Sequence, residues 1–333
     1  MMIPTPGVQK KTPRGYGIRK PQLGTRVCRT PLFLALLILG AAISFGAPPV
    51  QDNTAEHEST NTRLLPWVAG AHAVAYTGTL LLLDQMWYRE HPRSSFHFHD
   101  DSRHWMQMDK LGHTTTAYHF SRFSYYSFRA AGLSNHAGAL WGSISGSLFL
   151  TTIEILDGFS QQWGASWSDL AANTLGSLSF YLQQRCWQEQ RILWKYSFRP
   201  SGLEQYRPDL LGSNLGENLI KDYNGQTYWL SLNLKALLTI DTPFPSWLNL
   251  AIGHGAHGML GSLTNPTHHQ GIPLPAIARS RSLYLAPDID FARIPSQSPM
   301  LRGLLHTLNF IKFPAPALEY NTLYGWQLHW VFF

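Results

Sequence analysis

Near Lys195 the chain changes the spacing of its apolar residues, and that change constrains the fold more than any other feature. Before it, apolar residues recur at helical intervals: Ala171, Ala172, Leu175, Leu178 and Leu182 share one face of a helix. After it, from Thr227, the residues Tyr228, Leu230, Leu232 and Leu234 alternate with Trp229, Ser231, Asn233 and Lys235. That is the period of a strand with one apolar face. A chain that makes the switch once is α+β, with helices segregated from an antiparallel sheet. The expected architecture is a membrane-associated antiparallel helical bundle over 63–198, then a small antiparallel β-rich region over 199–333. A basic head with a signal peptide or signal anchor (1–50) and a polar linker (51–62) precede them.

Within the bundle, Leu64 to Leu83 carry no charge and reach the length that crosses a bilayer. A helix is expected from about Asp109 to Arg129, stopped by Gly132, and the next from about Ser134 to Leu156. Gly138, Gly142 and Gly146 form a stripe on that second helix that allows close helix approach. Ser166 or Ser168 starts a further helix that runs to about Trp187. Beyond Lys195, the stretch 199–225 reads as irregular and 261–281 as an exposed loop. Besides the strand from Thr227, strands are expected at 247–253, 282–292, 304–313 and 322–332. The last carries Tyr324, Trp326, Leu328, Trp330 and Phe332 in alternation. Five strands do not close a membrane barrel, which starts near eight, so a small sheet on the bundle or on lipid headgroups is expected.

The formal charge is +6, but its location argues against nucleic acid as a partner. Lys10, Lys11, Arg14, Arg19, Lys20, Arg26 and Arg29 crowd the first thirty residues without an acid. The 26 basic residues of the whole chain less these seven leave 19, against 20 acidic. The apolar run Pro31–Gly46 after this head has the pattern of a secretory leader or a retained anchor. Charged residues are 14% of the chain, well under the roughly 25% of soluble proteins. Such a composition suits a cell-envelope protein resting in or against a lipid bilayer. Cys28 and Cys186 imply no disulfide framework.

Three polar pairs punctuate the helices: Asp109 with His113, Glu154 with Asp157, and Asp169 with Asn173. Each pair has i,i+3 or i,i+4 spacing and so lies on one helix face. In an up-down-up bundle with short loops the three ends fall on one side, and the six groups converge at one mouth. Several have plain structural readings: Asp109 as a cap, Ser166 and Asp169 as a capping-box-like pair, and Asp157-Gly158 as a helix exit. Glu154 is harder to explain, because an acid near a helix C-terminus opposes the macrodipole and must be paired or hold a proton. His113 and Lys110 are its expected partners. His113, Glu154 and Asp157 are candidate metal ligands, and the loop set His97, His99, Asp100, Asp101 and His104 is a second candidate cluster. In Lys221–Ser231, an Asn224-Gly225 turn leads into a strand, and Asp222, Tyr223 and Gln226 are placed to present a polar edge to the bundle mouth. The sequence identifies no cofactor, and it has no Walker A, dinucleotide-binding or GxSxG pattern.

The stretches WMQMDKLGH (105–113), EILDGFSQQWGASWSDLAANTLGS (154–177), KYSFRPSG (195–202) and KDYNGQTYWLS (221–231) resemble an uncharacterised bacterial envelope family. This is the YfiM-like domain of unknown function, described as a lipoprotein or membrane protein; the resemblance covers roughly 94 to 320. A shorter similarity is to VanZ-like membrane proteins, carried by Asp109, Lys110 and His113, then Glu154, then Asp169, Asn173 and Gly176. The resemblance implies an envelope location and no established activity. The chain departs from a lipid-anchored pattern in lacking a lipobox cysteine after its apolar run. The function expected is therefore a structural or binding role in the envelope. The alternative is a membrane-embedded hydrolase or transferase acting on a lipid or cell-wall precursor, with Glu154 as base, His113 as acid, base or ligand, and Asp109, Asp157 and Asp169 orienting it. A transporter component is the third class.

Overall fold

Three helices with glycine and serine at their ends lie side by side, and their sequence signals are visible in their caps. The computed structural model describes residues 62–84, 92–239 and 243–333. The basic head, the leader, Cys28 and nearly all of the linker lie outside the described residues. Helix α1 is Leu65–Leu83 with Pro66 in its first turn, where the missing N–H costs nothing. Helix α2 is Met108–Ala130, and Gly132 at φ +90° ends it while Leu133 N–H donates back to Phe128 O at 3.1 Å. Helix α3 is Asn135–Gly158, capped by Ser134, and α4 is Trp167–Trp187, capped by Ser166.

The glycine stripe of α3 faces α2. A Cβ on Gly142 would stand 2.8 Å from both Ser121 O and Tyr125 N, so a side chain there would force the helices apart. Tyr118, Tyr125, Ala139, Phe180 and Leu193 fill the core between α2, α3, α4 and the sheet. The hydroxyls of Tyr118 and Tyr125 donate to Gln190 and Asn135, each at 3.1 Å, so neither ring buries an unsatisfied group. On α1, His72 stacks on Phe123 and Phe128 of α2, while Trp67 and Val74 stay exposed. Among the described residues, α3 is the one helix long and apolar enough to cross a membrane, with 39% of its most apolar window buried inside the protein.

The sheet is an antiparallel meander of six strands in chain order. They are β1 (Ile192–Phe198), β2 (Gln226–Leu232), β3 (Leu248–His257), β4 (Ser280–Ile289), β5 (Ala315–Asn321) and β6 (Gly325–Phe332). The outer edge of β1 meets Ile311 through Tyr196. Register places Trp194, Leu230, Ile252, Leu285, Leu318 and Leu328 in one row across all strands, on one face. The bundle covers that face at β1, where Trp194 Nε1 donates to Ser179 Oγ of α4 at 3.2 Å. The opposite face is the buried one. It holds Trp229, Ala251, Tyr284, Ala286, Ala317 and Phe332 together with charged and hydroxyl groups.

The α+β fold is as expected, and several details differ. The segment 304–313 is not a strand: Pro299–Leu308 forms helix α5, capped by Ser298. Leu301, Leu304, Leu305 and Leu308 have helical spacing, and Ser-Pro is a helix start. Ile192–Phe198, included in the bundle segment by the sequence reading, is instead the first strand of the sheet. Strand β5 escaped notice because its inward positions are Ala315, Ala317, Glu319 and Asn321, which show no apolar period. On β2 the apolar set Tyr228, Leu230 and Leu232 does not form the sheet interior; Trp229 and Ser231 do. The stretch 199–225 contains two short helices, Pro208–Leu211 and Leu215–Lys221. Within 261–281, His268–His269 and Ile272–Pro273 pair as a small ribbon.

Candidate functional site

The first turn of α2, the last turn of α3 and the first turn of α4 meet at one mouth of the bundle. Lys110 is the centre of the cluster. Its ammonium lies 2.7 Å from Asp101 Oδ2, 3.0 Å from Asp109 Oδ2 and 2.7 Å from Asp169 Oδ1. His113, one turn along α2 from Asp109, donates from Nδ1 to Asn173 Oδ1 at 2.9 Å. The same nitrogen stands 3.7 Å from Glu154 Oε1. Its Nε2 stands 3.8 Å from Asp109 Oδ1 and 3.8 Å from Asp169 Oδ1. Tyr223, from the turn before β2, donates to Asp109 Oδ1 at 2.6 Å. Glu154 Oε2 accepts from the backbone N–H of Ser166 at 3.0 Å, tying the end of α3 to the start of α4.

Two groups here are almost wholly buried and incompletely bonded. Glu154 is 2% exposed, and its Oε1 has no hydrogen-bond partner; Asn173 is 0% exposed, and its Nδ2 has none. A buried polar atom in that state costs about 1–3 kcal/mol.

Burial and charge act against each other across the cluster. Burial disfavours the His113 imidazolium, but Asp169, Asp109 and Glu154 outweigh it and push the pKa up to about 9. Burial raises Glu154 to about 8, so at neutral pH it holds its proton. Asp101 is also raised by burial, but Lys110 and Ser166 hold it well below the usual carboxylate range. Asp109 is likewise held low, by His113, Lys110 and the Tyr223 hydroxyl acting against burial. Asp169 moves the other way, because burial and the neighbouring Asp109 charge prevail.

The approach to this site is a strained turn. Trp105, Met106 and Gln107 all have left-handed φ, at 49°, 50° and 63°. Each such residue costs of order 1–2 kcal/mol, so outside contacts must hold the turn. Trp105 N–H donates to Ser262 O at 2.9 Å, and Arg281 on β4 donates to Met106 O at 2.8 Å and to the Gln107 side chain. The turn aims Asp109 and Lys110 inward.

Beside Lys110 lies an open cleft of about 510 Å³, between α2, α4 and the sheet. Its wall is almost wholly apolar, with Leu111, Leu175 and Trp194 in it, and Gln107, Lys110, Ser168 and His254 contribute only a small polar part.

Five of the six expected residues therefore form one hydrogen-bonded or ion-paired group. The charge of Asp157, three residues further along α3, adds to the rise of the Glu154 pKa. The donor atoms that come within 4.8 Å of one another belong to Asp109, His113 and Asp169. A divalent ion there would compete with the Lys110 ammonium, which already bridges both carboxylates.

The histidine-rich loop is not a separate metal cluster among the described residues. It is pinned to the end of α3 and the start of α4 by His97 N–H to Gly158 O at 2.9 Å and His99 N–H to Ala165 O at 2.9 Å. That pinning carries Asp101 into the Lys110 site, where Ser168 also donates to it at 2.8 Å. Asp101 is thus the residue that spacing alone does not assign to the mouth. Of the polar edge at 222–226, Tyr223 reaches the mouth, whereas Asp222 accepts within its own turn and Gln226 Oε1 accepts from Tyr228.

Residues 97–185 match the model of a family described as predicted periplasmic lipoprotein (DUF2279). The matched stretch runs from the histidine-rich loop through α4 and contains the whole mouth cluster except Tyr223. It supports an uncharacterised bacterial envelope family. No curated protein and no solved structure matches the chain.

Proposed function

We propose that this chain is a membrane-associated envelope protein that holds an amphiphilic ligand, a lipid or lipid-linked cell-wall precursor, at the mouth of its bundle. The observation that carries this reading is the cleft, whose largely apolar wall of Leu111, Leu175 and Trp194 has the Lys110, Ser168 and Gln107 side chains as its few polar groups. Its volume lies in the range of small-molecule sites, and a few polar groups on a largely apolar wall suit an amphiphile. The match to a family described as periplasmic lipoproteins supports the envelope setting. The charged cluster then serves as a rigid polar floor: Lys110 and His113 balance carboxylates that water would otherwise have to solvate. The test is lipid analysis of protein purified from native membranes, with Ala171→Trp as the comparison. Ala171 lines the cleft and is exposed, so a large ring there blocks the space without disturbing the core. A co-purified amphiphile in the wild type that is lost in the variant is the expected result. Equal lipid content in both overturns the reading.

One observation favours a second reading, acid–base transfer on such a ligand: a proton-holding Glu154 lies 3.7 Å from His113. In that reading His113 and Glu154 exchange the proton, and Asp109, Asp157 and Asp169 orient them. With its pKa near 8, Glu154 acts as the acid at neutral pH and as the base only above it. Turnover of a bound precursor that disappears in both His113→Gln and Glu154→Gln, with binding retained, is the result this reading requires.

A further inference from the structure

The sheet distributes its polarity in the reverse of a water-soluble protein. Its buried face carries Lys195, Asp288 and Glu319, all under a tenth exposed. They are neutralised and bonded: Lys195 pairs with Asp288 at 2.8 Å, and Glu319 accepts from Ser282 at 2.5 Å and pairs with His329 at 2.6 Å. The outward face is apolar. In the row that register defines, Ile252, Leu285, Leu318 and Leu328 are between 39% and 60% exposed. No Asp, Glu, Lys or Arg occupies an outward position from Leu283 to Ile289, Pro316 to Tyr320 or Trp326 to Trp330. An antiparallel sheet with one face in water shows the opposite alternation.

We propose that this outward face of β3 to β6 lies on a lipid bilayer and enters one leaflet. Three features choose lipid over a protein partner. A protein interface carries a polar rim with hydrogen-bonding groups, and this face offers none between its aromatic ends. Those ends are Trp326, beside Tyr320, and Trp330, with Leu328 between them, exposed rings of the type enriched where a protein surface meets lipid. The apolar surface also continues past the sheet. Trp194 of the same row forms the cleft wall with Leu175, and Leu175, Leu178 and Leu182 are all exposed on α4. The depth follows from strand geometry: the four-residue rise from Trp326 to Trp330 is about 14 Å, roughly half the apolar band of a membrane barrel. The face is therefore too short to span the hydrocarbon and suited to one leaflet. This placement rests on polarity and register alone and stands whether or not the cleft holds a ligand.

The experiment is quenching of tryptophan emission from the full chain in vesicles of phosphatidylcholine brominated on its acyl chains, comparing wild type with Trp326→Phe/Trp330→Phe. The difference between wild type and variant is specific to these two of the chain's 12 tryptophans, so an anchor elsewhere in the chain does not produce it. The expected result is a bromine-quenched part of the emission in the wild type, most of which is lost in the double variant. Phenylalanine keeps the apolar surface, so folding and vesicle binding persist. A quenched part that is unchanged in the double variant overturns the proposal. So does a wild type unquenched in vesicles that runs as a dimer in light scattering and becomes a monomer on Leu328→Glu, since a second copy would then cover the face. Quenching as expected, with no co-purified amphiphile, fails the cleft reading and leaves this one standing.

Discussion

Two of the charged clusters buried among the described residues differ in how completely their atoms are bonded. Inside the sheet, Asp288 Oδ2 accepts from Ser231 at 2.6 Å and pairs with Lys195, while Oδ1 accepts from Phe313 N–H at 3.1 Å. Lys195 also donates to Ile289 O at 2.6 Å, and Lys312 donates to Pro287 O at 2.9 Å and Phe313 O at 2.6 Å. Every charge there is bonded, and Lys195 and Lys312 are 0% exposed. Burial lowers both lysines, Lys312 to about 8. At the bundle mouth, Glu154 Oε1 and Asn173 Nδ2 lack partners, and Lys110 lines an open cleft. A closed, saturated network fixes the geometry of the sheet; an incomplete one beside a cleft is suited to a ligand or a proton.

The sharpest way to break this contrast is Asp288→Ala. It leaves Lys195 uncompensated in the interior, and a broken buried pair costs about 3–5 kcal/mol. Loss of the cooperative urea transition, or a much lower midpoint, is expected; a midpoint within error of wild type would show that the sheet cluster is not structural.

A smaller effect is expected for Lys110→Met. Its side chain is 13% exposed, and the carboxylates it leaves behind can take up protons, so the cost is roughly 2 kcal/mol. Because those protons bind with folding, the destabilisation shrinks as pH falls. A series of urea midpoints against pH checks this, and a loss independent of pH contradicts it.

The smallest effect at acid pH belongs to Glu154→Gln, and its sign discriminates. The folded-state pKa is raised, so the folded protein binds the proton more tightly than the unfolded chain. The stability this contributes is full below about 4.5 and is lost as pH rises toward 8. Glutamine mimics the protonated form, so the variant matches wild type within about 1 kcal/mol at acid pH and gains on it as pH rises toward 8. An ionised Glu154 held in a salt-bridge network predicts the reverse, a variant destabilised at neutral pH. His113 adds a slope of the same sign at higher pH: its contribution is full below about 6.5 and lost through about 9.

Much of the bundle was legible because its signals are local. Ser134, Ser166 and Gly132 punctuate helices by capping chemistry that depends on neighbours a few residues away. The three polar pairs were readable for the same reason, and short loops then forced the helix ends together. Asp101 was not, because it arrives through backbone bonds between His99 and Ala165, far apart in sequence.

The sheet marks the boundary between what the sequence determined and what the tertiary structure decided. Alternation over β2 and β6 specified strands with one apolar face, because side chains on a strand repeat every second residue. It did not say which face is inside. Register and packing decided that, placing the Lys195–Asp288 pair within the sheet and leaving Leu328 and its row outward. The physical reason is that period is a property of one strand, whereas burial depends on what the rest of the chain, or a lipid surface, sets against it.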